Sequence, residues 1–311
     1  MANLTKSITE FILMGFTDIW EQQVLHAVMF LLIYLTALVG NLLIVLLTTL
    51  DEHLHGPMHF FLRTLSFLDV CFISVTVPKS IIQSLTQNNS ISFMGCVAQV
   101  FFVVLFACTE LALLTVMSYD RYVAICRPLH YQLIMRKSAC GQMVAASWLS
   151  GVVSGFLNTS VTFSLPFCES NFVHQFFCEI PSLLKLSCSE KYLAEIGAII
   201  VTTSLGIICF ISILVSYIHI FSTVLRIPSV EGRSKAFSTC IPHLVVVTIF
   251  LNTGSIAYLK PVAESPTLWN LMVSVFYTVV PPALNPIIYS LKNKDMKAAF
   301  WKMLRKTAFI Y

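Results

Sequence analysis

Seven stretches of this chain, at residues 24–50, 58–83, 93–120, 140–163, 192–225, 237–259 and 267–291, run for roughly 20 or more residues with few charges, the length an α-helix needs to cross a hydrocarbon layer. No other feature limits the fold as strongly. A backbone inside lipid must satisfy its own hydrogen bonds, and only helices and closed barrels do so. Composition agrees: 57% hydrophobic and 11% charged residues, with a mean hydropathy of +0.83, leave too little polar surface to surround a soluble core of 311 residues. The expected class is an all-α membrane protein, a seven-transmembrane-helix bundle. Residues 1–23 are polar and carry Glu10, Asp18 and Glu21, so no cleavable signal peptide is expected and the first span serves as the insertion signal. The expected division is a tail at 1–23, the seven-helix domain at 24–291, and a last region at 292–311. There Met296, Ala299, Phe300, Met303 and Leu304 recur among lysines, the pattern of a short amphipathic helix lying along a membrane surface.

Lys and Arg are shared unevenly between the two faces. Arg63, Arg121, Arg127, Arg136, Lys137, Arg226, Arg233, Lys235, Lys292, Lys294, Lys297, Lys302, Arg305 and Lys306 fall on one side, fourteen of the nineteen in the chain. The richer side is expected in the cytosol, which puts the N-terminus outside. The net charge of +4 thus reports orientation in a lipid bilayer and gives no case for nucleic acid. On the short outer tail Asn3-Leu4-Thr5 is the expected glycosylation site. Asn88-Asn89-Ser90 in a tight loop and Asn158-Thr159-Ser160 within a span are expected to stay unmodified.

Several polar residues stand inside the apolar runs, where each needs a partner. Asn41 lies in the first span, Asp69 about two turns into the second, and Glu110 eleven residues before Arg121 in the third, or roughly 16 Å at the helical rise. The two acids are either neutral and hydrogen-bonded to Asn41, Asn285 or water, or they share a cation or proton. Asp120 and Arg121 stand where the third run gives out, so they either latch to each other or meet a soluble partner. In the seventh span Pro286 frees a backbone carbonyl, which motivates a hinge there.

Of ten cysteines, Cys96, Cys168, Cys178 and Cys188 fall on the outer side, where disulfides are permitted, and four allow three pairings. The loop Asn171-Phe172-Val173-His174-Gln175-Phe176-Phe177-Cys178-Glu179 holds a His, a Cys and a Glu of metal-ligand type. Its alternative role is a folded lid.

Met117-Ser118-Tyr119-Asp120-Arg121-Tyr122-Val123-Ala124-Ile125-Cys126, Leu54-His55-Gly56-Pro57-Met58-His59-Phe60-Phe61-Leu62, Lys235-Ala236-Phe237-Ser238-Thr239-Cys240 and Asn285-Pro286-Ile287-Ile288-Tyr289-Ser290 together resemble the ordered motifs of rhodopsin-like G-protein-coupled receptors in their odorant-receptor form. The resemblance spans the chain from Asn3 to Lys306 and is similar to the tetrapod-type, class II group. Ser118, Gly56, His59, Ile241-Pro242 before His243, and Leu251 after Phe250 depart from the usual wording. The resemblance implies disulfides Cys96–Cys178 and Cys168–Cys188, which commits Cys178 and disfavours a metal at His174 and Glu179. It implies coupling and switch roles for Asp120, Arg121, Tyr122, Tyr217, Lys235, His243, Asn285, Pro286 and Tyr289, with His243 otherwise a packed or capping residue. It also implies the cation or proton site at Asp69 and Glu110. The partners implied are a small-molecule odorant and the stimulatory olfactory heterotrimeric G protein, with cyclic AMP as output, at the plasma membrane; no cofactor is expected.

Rival classes fit less well. No internal repeat, zinc motif or nucleophile–base pair is found, which disfavours a transporter or an intramembrane enzyme. The seventh span lacks the lysine an opsin needs, and Val103 stands where an amine receptor would have Asp. The nearest rival is a receptor for a non-odorant small molecule. Counting turns outward from the inner motifs places Val103, Val104, Ala107, Cys108, Val201, Thr202, Leu205, Leu251, Gly254, Ser255, Tyr258, Val275 and Thr278 at one depth in the outer half. None is charged, so a neutral, mainly apolar ligand is expected, oriented by Tyr258.

Overall fold

In the computed structural model the described residues are 9–17, 19–167, 170–187, 193–259, 268–292 and 294–308. Seven helices among them are long and apolar enough to cross a membrane: α1 (Trp20–Leu50), α2 (Pro57–Thr86), α3 (Phe93–Cys126), α5 (Lys137–Ser164), α7 (Leu193–Leu225), α8 (Val230–Leu259) and α9 (Leu268–Lys292). Short helices α4 (Tyr131–Ile134) and α6 (Ile180–Leu184) lie in the connections, and α10 (Lys294–Ala308) follows the last span.

The spans match the apolar runs, but two helices outlast them by six residues or more. α3 continues six residues past Asp120, and α8 begins at Val230, ahead of the apolar run that opens at Phe237. Ser229 accepts a hydrogen bond from the Gly232 amide at 3.2 Å and starts α8 in the manner of an N-cap. The opening turns of α8 are polar, so hydropathy does not register them, whereas α3 carries on past its charged pair through Val123, Ala124 and Ile125, with Val123 buried in the core. Pro57 occupies the first turn of α2, where its missing N–H costs nothing.

The segment expected as a polar tail supplies a strand. β1 (Glu10–Leu13) lies between β2 (Ser90–Ser92) and β3 (Phe172–Val173), antiparallel to the first and parallel to the second. Phe11 and Leu13 point inward and are fully buried with Cys96, Val173 and Cys178. This sheet and α6 close one end of the bundle, called here the lid end. At the opposite, basic end, α10 buries Met296 and Ala299 in the same apolar cluster as Leu54 and Val123, and the Lys302 ammonium meets the Asp51 carboxylate at 3.2 Å. The His53 amide and Lys302 together hold the Asp51 carboxyl below its ordinary range. Trp301 stays exposed, as suits a side chain at the headgroup level.

Small residues decide how closely helices approach. A Cβ on Gly151 of α5 would run into the Thr109 hydroxyl and the Leu105 carbonyl of α3, and one on Gly40 of α1 would reach Pro286 at 3.0 Å. Gly151→Ala is therefore expected to cost about 1–3 kcal/mol, the range for overpacking a close contact. A purified variant with an unchanged melting temperature would contradict that contact.

Candidate functional site

At the basic end, Asp120 is buried and holds two donors from different elements. The Arg121 guanidinium contacts one carboxylate oxygen at 2.6 Å, and the Tyr131 hydroxyl of α4 donates to the other at 2.8 Å. Burial, reinforced by the negative charge of Asp120, pushes the Tyr131 phenol up, so it remains a hydrogen-bond donor. The acid–base pair is thus a latch that also fixes the connection following α3. Tyr122 meets the His219 ring of α7 in a tilted contact, centroids 5.8 Å apart, and Lys235 is exposed on α8.

About two turns deeper, His243 of α8 joins three helices. Its Nε2 lies 3.0 Å from the Leu114 carbonyl of α3, and its Nδ1 lies 2.7 Å from the Tyr217 hydroxyl of α7. A carbonyl only accepts, so Nε2 carries the hydrogen, and in the neutral ring Nδ1 accepts from Tyr217. Tyr289 is buried in the same cluster, and its hydroxyl has no hydrogen-bond partner among the described residues.

Near the middle of the bundle, the Asn285 amide donates to both Asp69 oxygens at 3.0 and 3.2 Å and to Glu110 at 3.4 Å. Both acids are fully buried, and Glu110 Oε2 lacks a partner among the described residues. Asn41 takes no part. Its amide donates at 2.9 Å to the Pro282 carbonyl, the acceptor that Pro286 strands four residues on. An interhelical side chain therefore repairs the gap that a proline opens.

Toward the lid end, the expected ligand residues fall in several packing environments. Val103 is buried with Phe72, Phe177 and Tyr277, and Ala107 and Val275 pack against that group. Val104 is buried with Cys96 and Cys178, with Cys108 beside them. The Thr202 hydroxyl accepts from Asn158 of α5 at 2.8 Å and donates to the Ala198 carbonyl, while Thr278 is buried and donates to the Ser274 carbonyl. Val201 and Leu205 are 48% and 42% exposed. Leu251 and Gly254 are half-buried and Ser255 is exposed. The side chain of Tyr258 lies outside the described residues, as do Asn3, Cys168 and Cys188.

The lid is tied to α3 by the Cys96–Cys178 disulfide, in agreement with the pairing implied by resemblance. Phe167 and Ser187, chain neighbours of Cys168 and Cys188, form an antiparallel bridge. Gln99 adds a second tie, its carbonyl oxygen accepting from the Cys178 amide at 2.8 Å and its amide donating to the Val75 carbonyl. Gln99 sits three residues after Cys96, one turn along the same face, and that spacing was the available signal. Glu179, expected only as a weak metal-ligand candidate, is instead buried and accepts from Ser182 at 3.1 Å, Ser274 at 3.2 Å and Tyr277 at 3.4 Å. Nothing in the spacing of Glu179, Ser274 and Tyr277 along the chain foretold their meeting.

A family model described as "Olfactory receptor" matches residues 30–307. The human protein "Olfactory receptor 14L1" is 60% identical, the match covering 94% of this chain and 90% of that protein. Human "Olfactory receptor 14A16" is 58% identical and covered to 98% on both sides. Squid rhodopsin superposes with a TM-score of 0.68 at 18% identity, over 94% of this chain and 87% of that one, a likeness of fold.

Proposed function

From the premise that the chain belongs to the olfactory receptor family, and is thus a multi-pass receptor for a small molecule and a heterotrimeric G protein, we propose its working parts. The lid end faces outside and the basic end faces the cytosol at the plasma membrane. A small neutral, mainly apolar molecule binds beneath the lid and favours a state in which the basic end opens to the stimulatory olfactory G protein, raising cyclic AMP. That shift requires ligand affinity to differ between the two states. The observation that carries this reading is the Asp120–Arg121–Tyr131 latch, closed at the end opposite the lid. Tyr217, His243 and the Tyr289 hydroxyl, which has no hydrogen-bond partner among the described residues, are the groups expected to re-pair on opening.

The test is a panel of neutral, acidic and basic odorants on cells carrying the tagged chain, with surface level and cyclic AMP read together. Neutral agonists are expected. Exclusively charged agonists would overturn the ligand class, and G-protein recruitment without cyclic AMP would overturn the stimulatory assignment.

Two substitutions refine the proposal. Tyr258→Phe is expected to weaken an oxygenated agonist by about 0.5 to 1.5 kcal/mol, one hydrogen bond; an unchanged dose–response curve would remove Tyr258 from the site. Two carboxyls around one amide in a low dielectric call for a shared proton or cation, and we assign that charge to the resting state. Asp69→Asn and Glu110→Gln are each expected to change basal cyclic AMP and its dependence on sodium or pH. Wild-type behaviour of both variants would leave the cluster a purely structural role.

A further inference from the structure

Between the basic ends of α7 and α8 lies a groove of about 500 Å³, with Leu225, Phe237 and Ile241 as apolar walls and Arg233, Ser234 and Ser238 as its polar lining. It opens away from the bundle axis. On α8 the buried residues Cys240, His243 and Val247 follow one helical face, whereas Ser234, Ser238 and Ile241 are exposed along another, rotated by about 100° per residue. On α7, Ile220 and Val224 are buried while Leu225 is 66% exposed. The groove therefore meets lipid, at the level where the spans reach water.

Its charge is uncompensated. Arg226, Arg233 and Lys235 lie within ten residues with Glu231 as the one acid, and none of the three cations forms an ion pair among the described residues. Arg233 is the half-buried one of the three, and a guanidinium presents a planar fork that matches a phosphate. Apolar walls below a phosphate-binding fork match the two parts of a phospholipid.

We propose that this groove holds an anionic phospholipid, its acyl chains along Leu225, Phe237 and Ile241 and its phosphate on Arg233 with the Ser234 hydroxyl. A cytosolic source for that lipid rests on the orientation proposed above, because acidic lipids enrich the cytosolic leaflet. Binding itself does not depend on orientation, and a cysteine-accessibility measurement at Ser229→Cys in intact cells would report orientation alone.

The test uses the purified full chain in phosphatidylcholine nanodiscs carrying a trace of diazirine-tailed lipid, with either a phosphatidylinositol phosphate or a phosphatidylcholine headgroup. Photolabelling is expected to concentrate on residues 225–241 for the anionic probe. It should fall on the order of fivefold in Arg233→Gln, the effect of losing one basic group at an acidic lipid surface, and be kept in Arg233→Lys. Equal labelling by the two headgroups, or labelling indifferent to Arg233→Gln, would overturn the proposal. So would competition by free inositol phosphate as effective as by the lipid, which would assign the site to a soluble phosphate, or displacement of the probe by the G protein, which would assign it to a protein partner.

Discussion

Arg121→Ala is expected to reduce agonist-stimulated cyclic AMP to the level of receptor-free cells while leaving ligand binding largely intact. The guanidinium sits at the basic end, 12% exposed and held at 2.6 Å by Asp120. Glu110 in the middle of α3 is already eleven residues away, roughly 16 Å along the helix, and the lid lies farther still. A change confined to the basic end therefore reaches the pocket only through the equilibrium between states. Asp120→Asn should act in the opposite sense, because it leaves Arg121 without its counter-charge and weakens the bond from Tyr131; higher basal cyclic AMP is the expected readout. Retained agonist response in Arg121→Ala at matched surface expression would remove the residue from coupling.

The second large effect lies at the other end of the molecule. Cys96→Ser and Cys178→Ser are each expected to abolish surface expression, since the bond closes a sequence separation of 82 residues, which corresponds to about 4.5 kcal/mol in the chain-entropy picture. The loss extends beyond that bond. Phe11, Leu13 and Val173 pack around the two sulfurs, so a loosened loop exposes the inner face of the three-stranded sheet. Gln99 still grips the Cys178 amide, and Gln99→Ala in the disulfide-intact chain is expected to lower surface level only partly. Flow cytometry on tagged receptors measures both, and normal surface levels in Cys96→Ser would show that packing alone holds the lid.

The number of spans, the depth of the ionisable residues and the placement of Asp120–Arg121 at the end of an apolar run were all open to inspection in the amino-acid sequence. Each depends on hydrocarbon thickness, helical rise and the cost of charge in lipid, which act on a chain one segment at a time. The amphipathic α10 was evident for the same reason: Met296 and Ala299 share a face through local spacing alone.

Contacts between segments obey no such local rule. The period-two pattern of Glu10–Leu13 is only four residues long, too short to mark a strand until Ser90–Ser92 and Phe172–Val173 supply its neighbours. Asn41 had several conceivable partners, and the close approach of Gly40 to Pro286 sends its amide to the Pro282 carbonyl and leaves Asn285 to the two acids. Thr202 stood at the right depth to face a ligand, yet the rotation of α7 turns its hydroxyl to Asn158. Depth along a helix follows from counting residues, because the rise per residue is constant. Rotation about the helix axis is set by which side chains the neighbouring helices accept, and an apolar stripe meets lipid as readily as protein, so only the assembled bundle decided which face of each span is the inside.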